Sequence, residues 1–403
     1  MTKTLPHDAD LMSAASHSTF LRSADLPAIA ARIAATVSGP ASSDVDVNSR
    51  FPVETFEALA SERMLSVLVP QDLGGLGARI GDVALAVEAI GEHCASSAMV
   101  YAMHQIQVAS LARHGRSAWA RKFLARVASE QLLLASATTE KGIGGDVRSS
   151  SCAVEQTGDR FELIKDAPVI SYGKFANAVL VTARRTPDSP PNDQVLVAVP
   201  IEDGTLDQQS TWNALGFRGT CSDGFVLTGT GDISQILSDP YDVISAHTML
   251  PTSHVLWASV WLGIANSAVD TARTYVRKDA RKNPGTTSPV AVHLAGLVGM
   301  LDQFRALVRS STADYEAALD DPEQLTSMGF ALRMNSLKVS ASTLVVEVVS
   351  RALTICGIAG YLEDSPLSLG RRLRDAHGAA LMVNNDRILG ANAQMLLVHK
   401  GDK

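Results

Sequence analysis

The chain has 403 residues, of which 46% are hydrophobic, so it can bury a large core and suggests two or three structural domains. Its formal net charge is -7 and its pI is about 5.8. Nucleic acids and anionic membranes select for clustered Lys and Arg, so this charge argues against both as the main partner. We therefore expect small molecules as ligands.

The cysteines and the N-terminal residues bear on the cellular compartment. Four widely spaced cysteines form no CxxC pair, which argues against a zinc site or a redox couple and favours reduced thiols. Near the start, Asp8 and Asp10 interrupt the apolar stretch that a signal peptide needs. The most apolar window, Val255–Ala265, is too short to span a bilayer. We expect a cytoplasmic protein without a membrane span.

The spacing of apolar residues divides the chain into three regions. Residues 1–131 contain helical patterns, and we expect the first, Leu26–Val37, to stop at Gly39-Pro40. Residues 132–240 change to the alternation that is typical of β-strands. Residues 241–403 return to long helical patterns that fit an up-and-down bundle. The prediction is a mainly α protein with a helical N-terminal domain, a middle β domain and a C-terminal helical bundle.

Several segments resemble the acyl-CoA dehydrogenase superfamily, in the family's order, over roughly residues 50–400. After Phe51-Pro52 at a helix start comes a Gly-rich turn, Val69–Gly77, which is similar to the family's VPxxxGGxG pattern. The start of the β domain, Thr139–Asp146, resembles the family's TEPGxGSD loop, and Leu215–Ser222 resembles its LGxRGTxS turn. Because these segments span whole domains, the resemblance is specific.

Two C-terminal segments extend the resemblance. Gly357–Tyr361 is similar to the family's GGxGY turn, and Arg374-Asp375 is similar to its Arg-Asp signature. The resemblance implies a helical N-terminal domain, a β-barrel-like middle domain and a C-terminal four-helix bundle. It also implies FAD at a subunit interface, an acyl-CoA or other small acyl thioester as ligand, and assembly as a homodimer or homotetramer.

The predicted cofactor contacts lie in the β domain. A Gly-rich turn exposes backbone N–H groups, so Thr139, Gly144 and Gly145 could grip a flavin, although such turns also occur in plain hairpins. The resemblance implies that Thr139 meets the pyrimidine edge of the ring and that Ser171 lies near N5. The family commonly has Ser at the position of Gly145 and Trp at that of Val169. These two departures predict a loosely held flavin.

The catalytic base of the family is missing from this sequence. The reaction that the resemblance implies removes the α-proton of an acyl thioester with a carboxylate while hydride passes from the β-carbon to the flavin. Counting from Arg374-Asp375, the usual glutamate falls at Val383. A minority branch carries its glutamate on the first bundle helix, upstream of the glycine that matches Gly263, and that position is Ser253. The backbone N–H of Val383 can still polarise a thioester carbonyl.

Three residues are candidates for a substitute base. His254 follows Ser253 and has a side chain that titrates near neutral pH, although an isolated His at a helix start is more often structural. Asp386 follows Val383 by one helical turn, with a solvated Asp as the alternative interpretation. His104 matches a frequent family histidine near the substrate cavity.

Three functions are therefore open. The leading one is an FAD-dependent oxidoreductase of acyl-CoA dehydrogenase type, which acts on the CH–CH group of an acyl thioester with an unusual or displaced base. The second is a flavin-dependent monooxygenase on the same fold, which takes reduced flavin from a separate reductase and activates oxygen. The third is a non-catalytic member that binds an acyl thioester. Anaerobic bleaching of bound flavin by acyl-CoA would distinguish the first from the other two.

Overall fold

The computed structural model describes residues 22–142, 148–282, 285 and 287–401. Helices come first: α1 (Leu26–Ile33), α2 (Gly39–Val47), α3 (Val53–Ser61), α4 (Ile80–Gly91), α5 (Ala95–His114) and α6 (Ala118–Glu130). Strands follow: β1 (Leu134–Ala137), β2 (Glu155–Thr157), β3 (Arg160–Ile170), β4 (Ala178–Arg184), β5 (Gln194–Pro200), β6 (Gly204–Ser210) and β7 (Asp223–Asp232). The chain then returns to helices: α7 (Tyr241–Ile244), α8 (Leu250–Ala280), α9 (Pro289–Ala318), α10 (Pro322–Thr326), α11 (Met328–Cys356), α12 (Ile358–Tyr361), α13 (Gly370–His377) and α14 (Asn385–Leu396). This order confirms the predicted fold class.

The first predicted helix end is wrong. Instead of stopping at Gly39-Pro40, the chain passes through a π-helical turn, Ala34–Ser38, directly into α2. Pro40 lies in the first turn of α2, where a missing N–H is tolerated because that group has no partner within the helix. The Gly-Pro pair therefore begins a second helix.

The strands form two sheets. In the first, β4 lies between β1 and β5, parallel to β1 and antiparallel to β5. The second has the order β2-β3-β7-β6, with antiparallel neighbours. The pairing of β3 with β7 is regular up to Ala167↔Phe225 and then shifts before Ile170↔Asp223. This irregularity ends the ladder beside Ser171, and bulges of this kind redirect side chains next to functional sites.

The long helices α8, α9 and α11 pack together, and α4 and α5 pack onto α8. Two glycines allow α4 and α8 to approach closely: a Cβ at Gly263 would clash with the carbonyl oxygen of Glu88, and one at Gly91 would lie 2.9 Å from that of Val260. The neighbouring contact between α5 and α8 forms one side of the cavity described below.

Two helices, α9 and α11, have the length and apolar composition of membrane-spanning helices. Core helices of soluble proteins meet the same criteria, so this is weak evidence for a membrane span. In the most apolar window of α11, 44% of the residues are buried, against 17% in α9. Most large apolar side chains of α9 are nevertheless buried or packed against the core, and Val292, at 64% exposure, is the exception.

Candidate active site

One wall of a cleft beside the sheets carries hydroxyl side chains. Thr139 follows β1, Ser171 follows β3, and the Thr139 hydroxyl donates to the carbonyl oxygen of Val169 at 3.3 Å. We call Thr139, Val169 and Ser171 the strand wall. It brings together two of the predicted flavin contacts, whereas Gly144 and Gly145 lie outside the described residues.

The hydroxyl of Ser171 ends a directed chain of hydrogen bonds. The Thr220 hydroxyl donates to the carbonyl oxygen of Phe217 at 2.9 Å, so its proton is committed. Ser222 Oγ lies 2.8 Å from Thr220 Oγ1 and therefore donates to it. Ser171 Oγ lies 2.8 Å from Ser222 Oγ and donates in turn. Ser171 consequently presents lone pairs, and no proton, to any further partner.

Glu140, which follows Thr139 of the strand wall, forms a buried ion pair with Lys165 that the sequence pattern does not indicate. Glu140 accepts hydrogen bonds from the backbone N–H groups of Ser151 and Cys152, and Lys165 Nζ lies 3.3 Å from its carboxylate. Burial alone would raise the pKa of Glu140, but Lys165 and these hydrogen bonds together lower it. The ionised carboxylate therefore fixes the backbone of Ser151 and Cys152 beside Glu140, and its oxygens are occupied by these partners.

The opposite wall is the turn between α13 and α14. We call Met382 and Val383, which line the cleft there, the helix wall. Val383 has a φ of 44°, a left-handed conformation that β-branched residues rarely adopt. Its carbonyl oxygen accepts a hydrogen bond from Lys338 Nζ at 3.3 Å, and the same Nζ donates to Asn385 Oδ1 at 2.7 Å. Such strain persists only where the surroundings hold it in place.

Lys338 is fully buried on α11. Its Nζ lies 5.9 Å from the centre of the Trp261 ring, and no carboxylate in the described part of the chain pairs with it. Burial lowers the pKa of Lys338 to about 8. No family motif marks Lys338, although a lysine at a buried position of an apolar helical pattern is a signal of its own.

Two cavities meet at the walls. The helix cavity, of about 250 Å³, lies against α5 and α8 and is lined by Ile106, Gln107, Tyr241, Ser253, His254 and Trp257, among others. The loop cavity, of about 380 Å³, lies against the chain before β7 and is lined by Trp212, Leu215, Phe217, Thr220, Ser222 and His377, among others. Both cavities are also lined by Met103, the strand wall and the helix wall. The two walls therefore lie where the two cavities adjoin, and the cavities are two parts of one cleft.

Neither cavity is lined by a carboxylate from the described residues. In the helix cavity the ionisable side chains are Tyr241 and His254. In the loop cavity they are Arg374 and His377. Within this part of the chain, the carboxylate of the family's reaction therefore has no replacement.

Of the three candidate bases, His254 lines a cavity. Its Nδ1 lies 2.9 Å from the carbonyl oxygen of Met334, which can only accept, so Nδ1 carries the proton and Nε2 carries a lone pair. Burial, with a smaller contribution from the charge of Lys338, lowers the pKa of His254 to about 4. At neutral pH the ring is an uncharged acceptor.

The other two candidates lie away from both cavities. His104 is buried, with Nε2 2.6 Å from the carbonyl oxygen of Leu65 and Nδ1 3.0 Å from the backbone nitrogen of Leu134. Burial lowers the pKa of His104 to about 4. Asp386 is exposed in the first turn of α14, where its backbone N–H donates to Asn384 Oδ1.

The Arg374-Asp375 signature holds the two sides of the loop cavity together. The buried carboxylate of Asp375 accepts the backbone N–H of Phe217 at 2.6 Å, and Arg374 pairs with Asp46 at 2.6 Å. Burial raises the pKa of Asp375 to about 6. The signature therefore stabilises the loop that carries the Ser171 hydrogen-bond chain.

The two walls fit a flavin ring. Ligand sites usually have volumes of roughly 300–1,000 Å³ and combine apolar contacts with a few polar groups. Here Met103, Met382 and Val383 supply polarisable and apolar contacts for a planar ring, while Thr139 and Ser171 supply oxygen atoms at its edge.

Comparison with known proteins agrees with this arrangement. Residues 25–131 match the acyl-CoA dehydrogenase N-terminal domain, and residues 255–386 match the acyl-CoA dehydrogenase C-terminal domain. A cyclohex-1-ene-1-carbonyl-CoA dehydrogenase of Syntrophus aciditrophicus is 25% identical over 356 residues, which cover 87% of this chain and 83% of that protein.

Two solved structures share the fold. FMN-bound TdsC, a dibenzothiophene monooxygenase from Paenibacillus sp. A11-2, is 20% identical, covers 94% of this chain and 98% of its own, and has a TM-score of 0.82. Butyryl-CoA dehydrogenase from Megasphaera elsdenii is 19% identical, covers 93% of this chain and 98% of its own, and has a TM-score of 0.76.

The helix–sheet–helix order and the cleft between the two walls define a flavin-binding oxidoreductase fold. The matching domains cover both helical regions on either side of the sheets. The chain belongs to the acyl-CoA dehydrogenase superfamily, and its cofactor is a flavin, FAD being typical of the family.

Proposed function

We propose that this protein is a flavin-dependent monooxygenase that receives reduced flavin, or electrons for it, and inserts oxygen into a small organic substrate. The observation that carries the proposal is the cleft without a carboxylate among its described lining residues. Removal of an α-proton from a thioester needs a positioned base of suitable pKa. A buried imidazole with a pKa of about 4 is poorly matched to that task.

The direction of the Ser171 hydrogen-bond chain supports this assignment. Ser171 presents lone pairs, because its proton is donated to Ser222. By resemblance to the family Ser171 lies near flavin N5, which carries an N–H only when the flavin is reduced. An acceptor at this position therefore favours the reduced cofactor. Reduced flavin supplies the electrons that activate oxygen.

The remaining lining residues keep water away and hold the substrate. Met103, Met382 and Val383 line both cavities with apolar side chains, which lowers the local polarity around the ring. In the helix cavity, neutral His254 offers Nε2 to a substrate donor. Among the structures with this fold, TdsC is described as a dibenzothiophene monooxygenase, which also supports the proposal.

A second candidate is dehydrogenation of an acyl thioester with His254 as the base. It is supported by the name of the Syntrophus aciditrophicus relative and by the place of His254 beside Ser253 in the helix cavity. The backbone N–H of Val383 would then polarise the thioester carbonyl. The low pKa of His254 weighs against this candidate.

One experiment separates the candidates. Flavin-loaded protein is mixed without oxygen with a panel of acyl-CoAs, and separately given a flavin reductase, NADH, ¹⁸O₂ and a panel of small aromatic compounds. We expect no bleaching in the first mixture and ¹⁸O in an organic product in the second. Prompt anaerobic bleaching would overturn the proposal in favour of the dehydrogenase. If neither reaction occurs, the non-catalytic thioester-binding function, tested by acyl-CoA titration, takes its place.

We also propose that the protein is a cytoplasmic homodimer or homotetramer. Exposed apolar side chains near the C-terminus support an assembly, notably Leu381 at 76%, Leu396 at 59% and Leu397 at 86% exposure. Light scattering on the purified protein tests this, and a monomeric mass would contradict it.

A further inference from the structure

Three polar groups of the helix cavity present acceptors, because they donate their protons to other groups of the protein. His254 commits its Nδ1 proton to Met334, which leaves the lone pair of Nε2. The Ser253 hydroxyl donates to the carbonyl oxygen of Met249 at 2.5 Å, and the Tyr241 hydroxyl donates to the sulfur of the same Met249 at 3.5 Å. Each of these three groups therefore donates its proton to another group of the protein and can only accept a hydrogen bond from a ligand.

The same cavity carries no formal charge. None of its described lining residues is Lys, Arg, Asp or Glu, and His254 is uncharged at neutral pH. A carboxylate in this cavity would thus have no counter-charge, and it would face the lone pairs of His254 and Ser253. The hydroxyls of Ser136, Thr138 and Ser245 can rotate to suit either kind of partner.

An apolar tail would also be a poor occupant. Covering the lone pair of His254 Nε2 with hydrocarbon would leave that acceptor without a partner, and a buried acceptor without a partner is strongly unfavourable. At about 250 Å³ the cavity suits a ring-sized group better than a long chain. Ile106 and Leu250 supply apolar contacts for such a group, and Trp257 adds its ring, whose buried Nε1–H has no partner among the described residues.

We infer that the part of the substrate that enters the helix cavity is a compact, neutral, mainly hydrocarbon group that carries an O–H or N–H donor for His254 Nε2. This inference rests on the proposed function, since it names the substrate class of the same site. It assigns His254 to substrate binding. A phenol or a ring N–H has the required chemistry, whereas an ether, a carboxylate or a fatty acyl tail does not.

Binding to the oxidised, flavin-loaded protein tests the inference without any turnover. Calorimetry is run with 4-ethylphenol, its methyl ether 4-ethylanisole and 4-ethylbenzoate, which share one hydrocarbon frame. We expect the phenol to bind at least tenfold more tightly than the other two, because a cavity that hydrogen-bonds a hydroxyl rejects analogues that lack it. Equal affinities for the phenol and the ether would overturn the inference.

Variants assign the preference to the residue. In His254→Leu the preference for phenol over ether should fall to less than twofold, while His254→Gln, which keeps an acceptor oxygen, should retain part of it. Ser259→Ala is the matched control, because Ser259 is buried on α8, bonds within its own helix and is not among the residues that line either cavity. A full preference in folded His254→Leu would assign the donor to another group and overturn the inference.

The outcome is distinguishable from that of the proposed function. A phenol preference without any ¹⁸O product would remove the monooxygenase and leave the binding preference standing. Efficient oxygenation of substrates that lack a donor would leave the monooxygenase standing and remove the inference.

Discussion

The strand wall and the helix wall face the same two cavities but differ in their relation to the family pattern. The strand wall keeps hydroxyl groups at Thr139 and Ser171, where the resemblance expects flavin contacts. The helix wall has Val383 in place of the glutamate, in a strained conformation held by Lys338. One wall thus offers groups that suit the family's cofactor, and the other has valine at the position where the resemblance expects the catalytic carboxylate.

The strand wall and the helix wall are held in place by separate hydrogen bonds. The hydrogen bonds of the strand wall run to Val169 and, through Ser222 and Thr220, to Phe217. The helix wall is held from α11 through Lys338. Because none of these hydrogen bonds is shared, a side chain that lines the cleft can change at one wall while the contacts that hold the other wall stay in place.

The largest expected effect comes from restoring a carboxylate to the helix wall. For an acyl-CoA that the protein binds, Val383→Glu should raise the rate of anaerobic flavin bleaching in the bound complex by about 10²–10⁴-fold, the usual contribution of a positioned general base. Glu is not β-branched, so it tolerates the left-handed backbone at least as well as Val. Val383→Gln, measured in the same stopped-flow assay, controls for size. Equal rates for both variants would show that a carboxylate at position 383 does not reach the substrate as a base.

The next effect concerns the free energy of unfolding, which should depend on pH through Asp375, the residue that bonds to the loop before β7. The folded pKa of Asp375, about 6, exceeds its ordinary value of 3.8, so the native state binds the proton more tightly than the unfolded state. This stabilising contribution is complete below about pH 4 and is lost as the pH rises through about 6. Relative to Asp375→Asn, the wild type should therefore lose about 2–3 kcal/mol of unfolding free energy between pH 4 and pH 7.

Urea unfolding of both proteins at several pH values measures this difference. Asn at position 375 can still accept the Phe217 N–H, so the variant tests the charge rather than the hydrogen bond. A difference in unfolding free energy that stays constant with pH, or that grows in favour of the wild type, would contradict the assigned shift.

Removing the amine behind the helix wall should weaken flavin binding without unfolding the protein. In Lys338→Met the carbonyl oxygen of Val383 and Oδ1 of Asn385 lose a charged donor, so the turn can relax away from the flavin. A hydrogen bond to a charged group contributes about 1.5–3 kcal/mol, so flavin Kd should rise by roughly 10–150-fold. Global stability should stay level or rise, because a buried charge without a carboxylate partner is replaced by an apolar side chain.

Fluorescence titration of flavin and thermal unfolding give the two readouts. Lys122→Met is the matched control, because Lys122 is exposed on α6 and is not among the residues that line either cavity. Unchanged flavin affinity in Lys338→Met would show that the turn does not need its lysine.

The smallest effect is expected at the strand wall. Ser171→Ala removes one acceptor at the position that the resemblance places near N5, and one hydrogen bond contributes about 0.5–1.5 kcal/mol. Reduced flavin should lose roughly 2–12-fold in affinity, and oxidised flavin less, because only the reduced ring brings an N–H to this oxygen. Reduction potentials of the bound flavin measure the difference, with Ser189→Ala on the exposed loop after β4 as the control. An unchanged potential would contradict the direction assigned to the hydroxyl chain.

The sequence by itself determined the fold class and the gap in the catalytic pattern. The change of apolar period along the chain reflects which face of each element is buried, so it separates helices from strands without knowledge of the packing. The glutamate position could be counted along one continuous segment from Arg374-Asp375 to Val383. Local features such as these need no information from distant residues, although the junction at Gly39-Pro40 shows that helix ends remain the weakest part of such predictions.

Only the tertiary structure decided which candidate residues share a space. His254, His104 and Asp386 looked alike as titratable residues near family positions, but packing puts His254 in a cavity, ties both nitrogens of His104 to backbone and leaves Asp386 exposed. Lys338 acquires its role from the turn at Val383, which lies far along the chain. Burial, hydrogen-bond direction and pKa depend on contacts between residues that are distant in the chain. The spacing of residues along the chain does not predict those contacts.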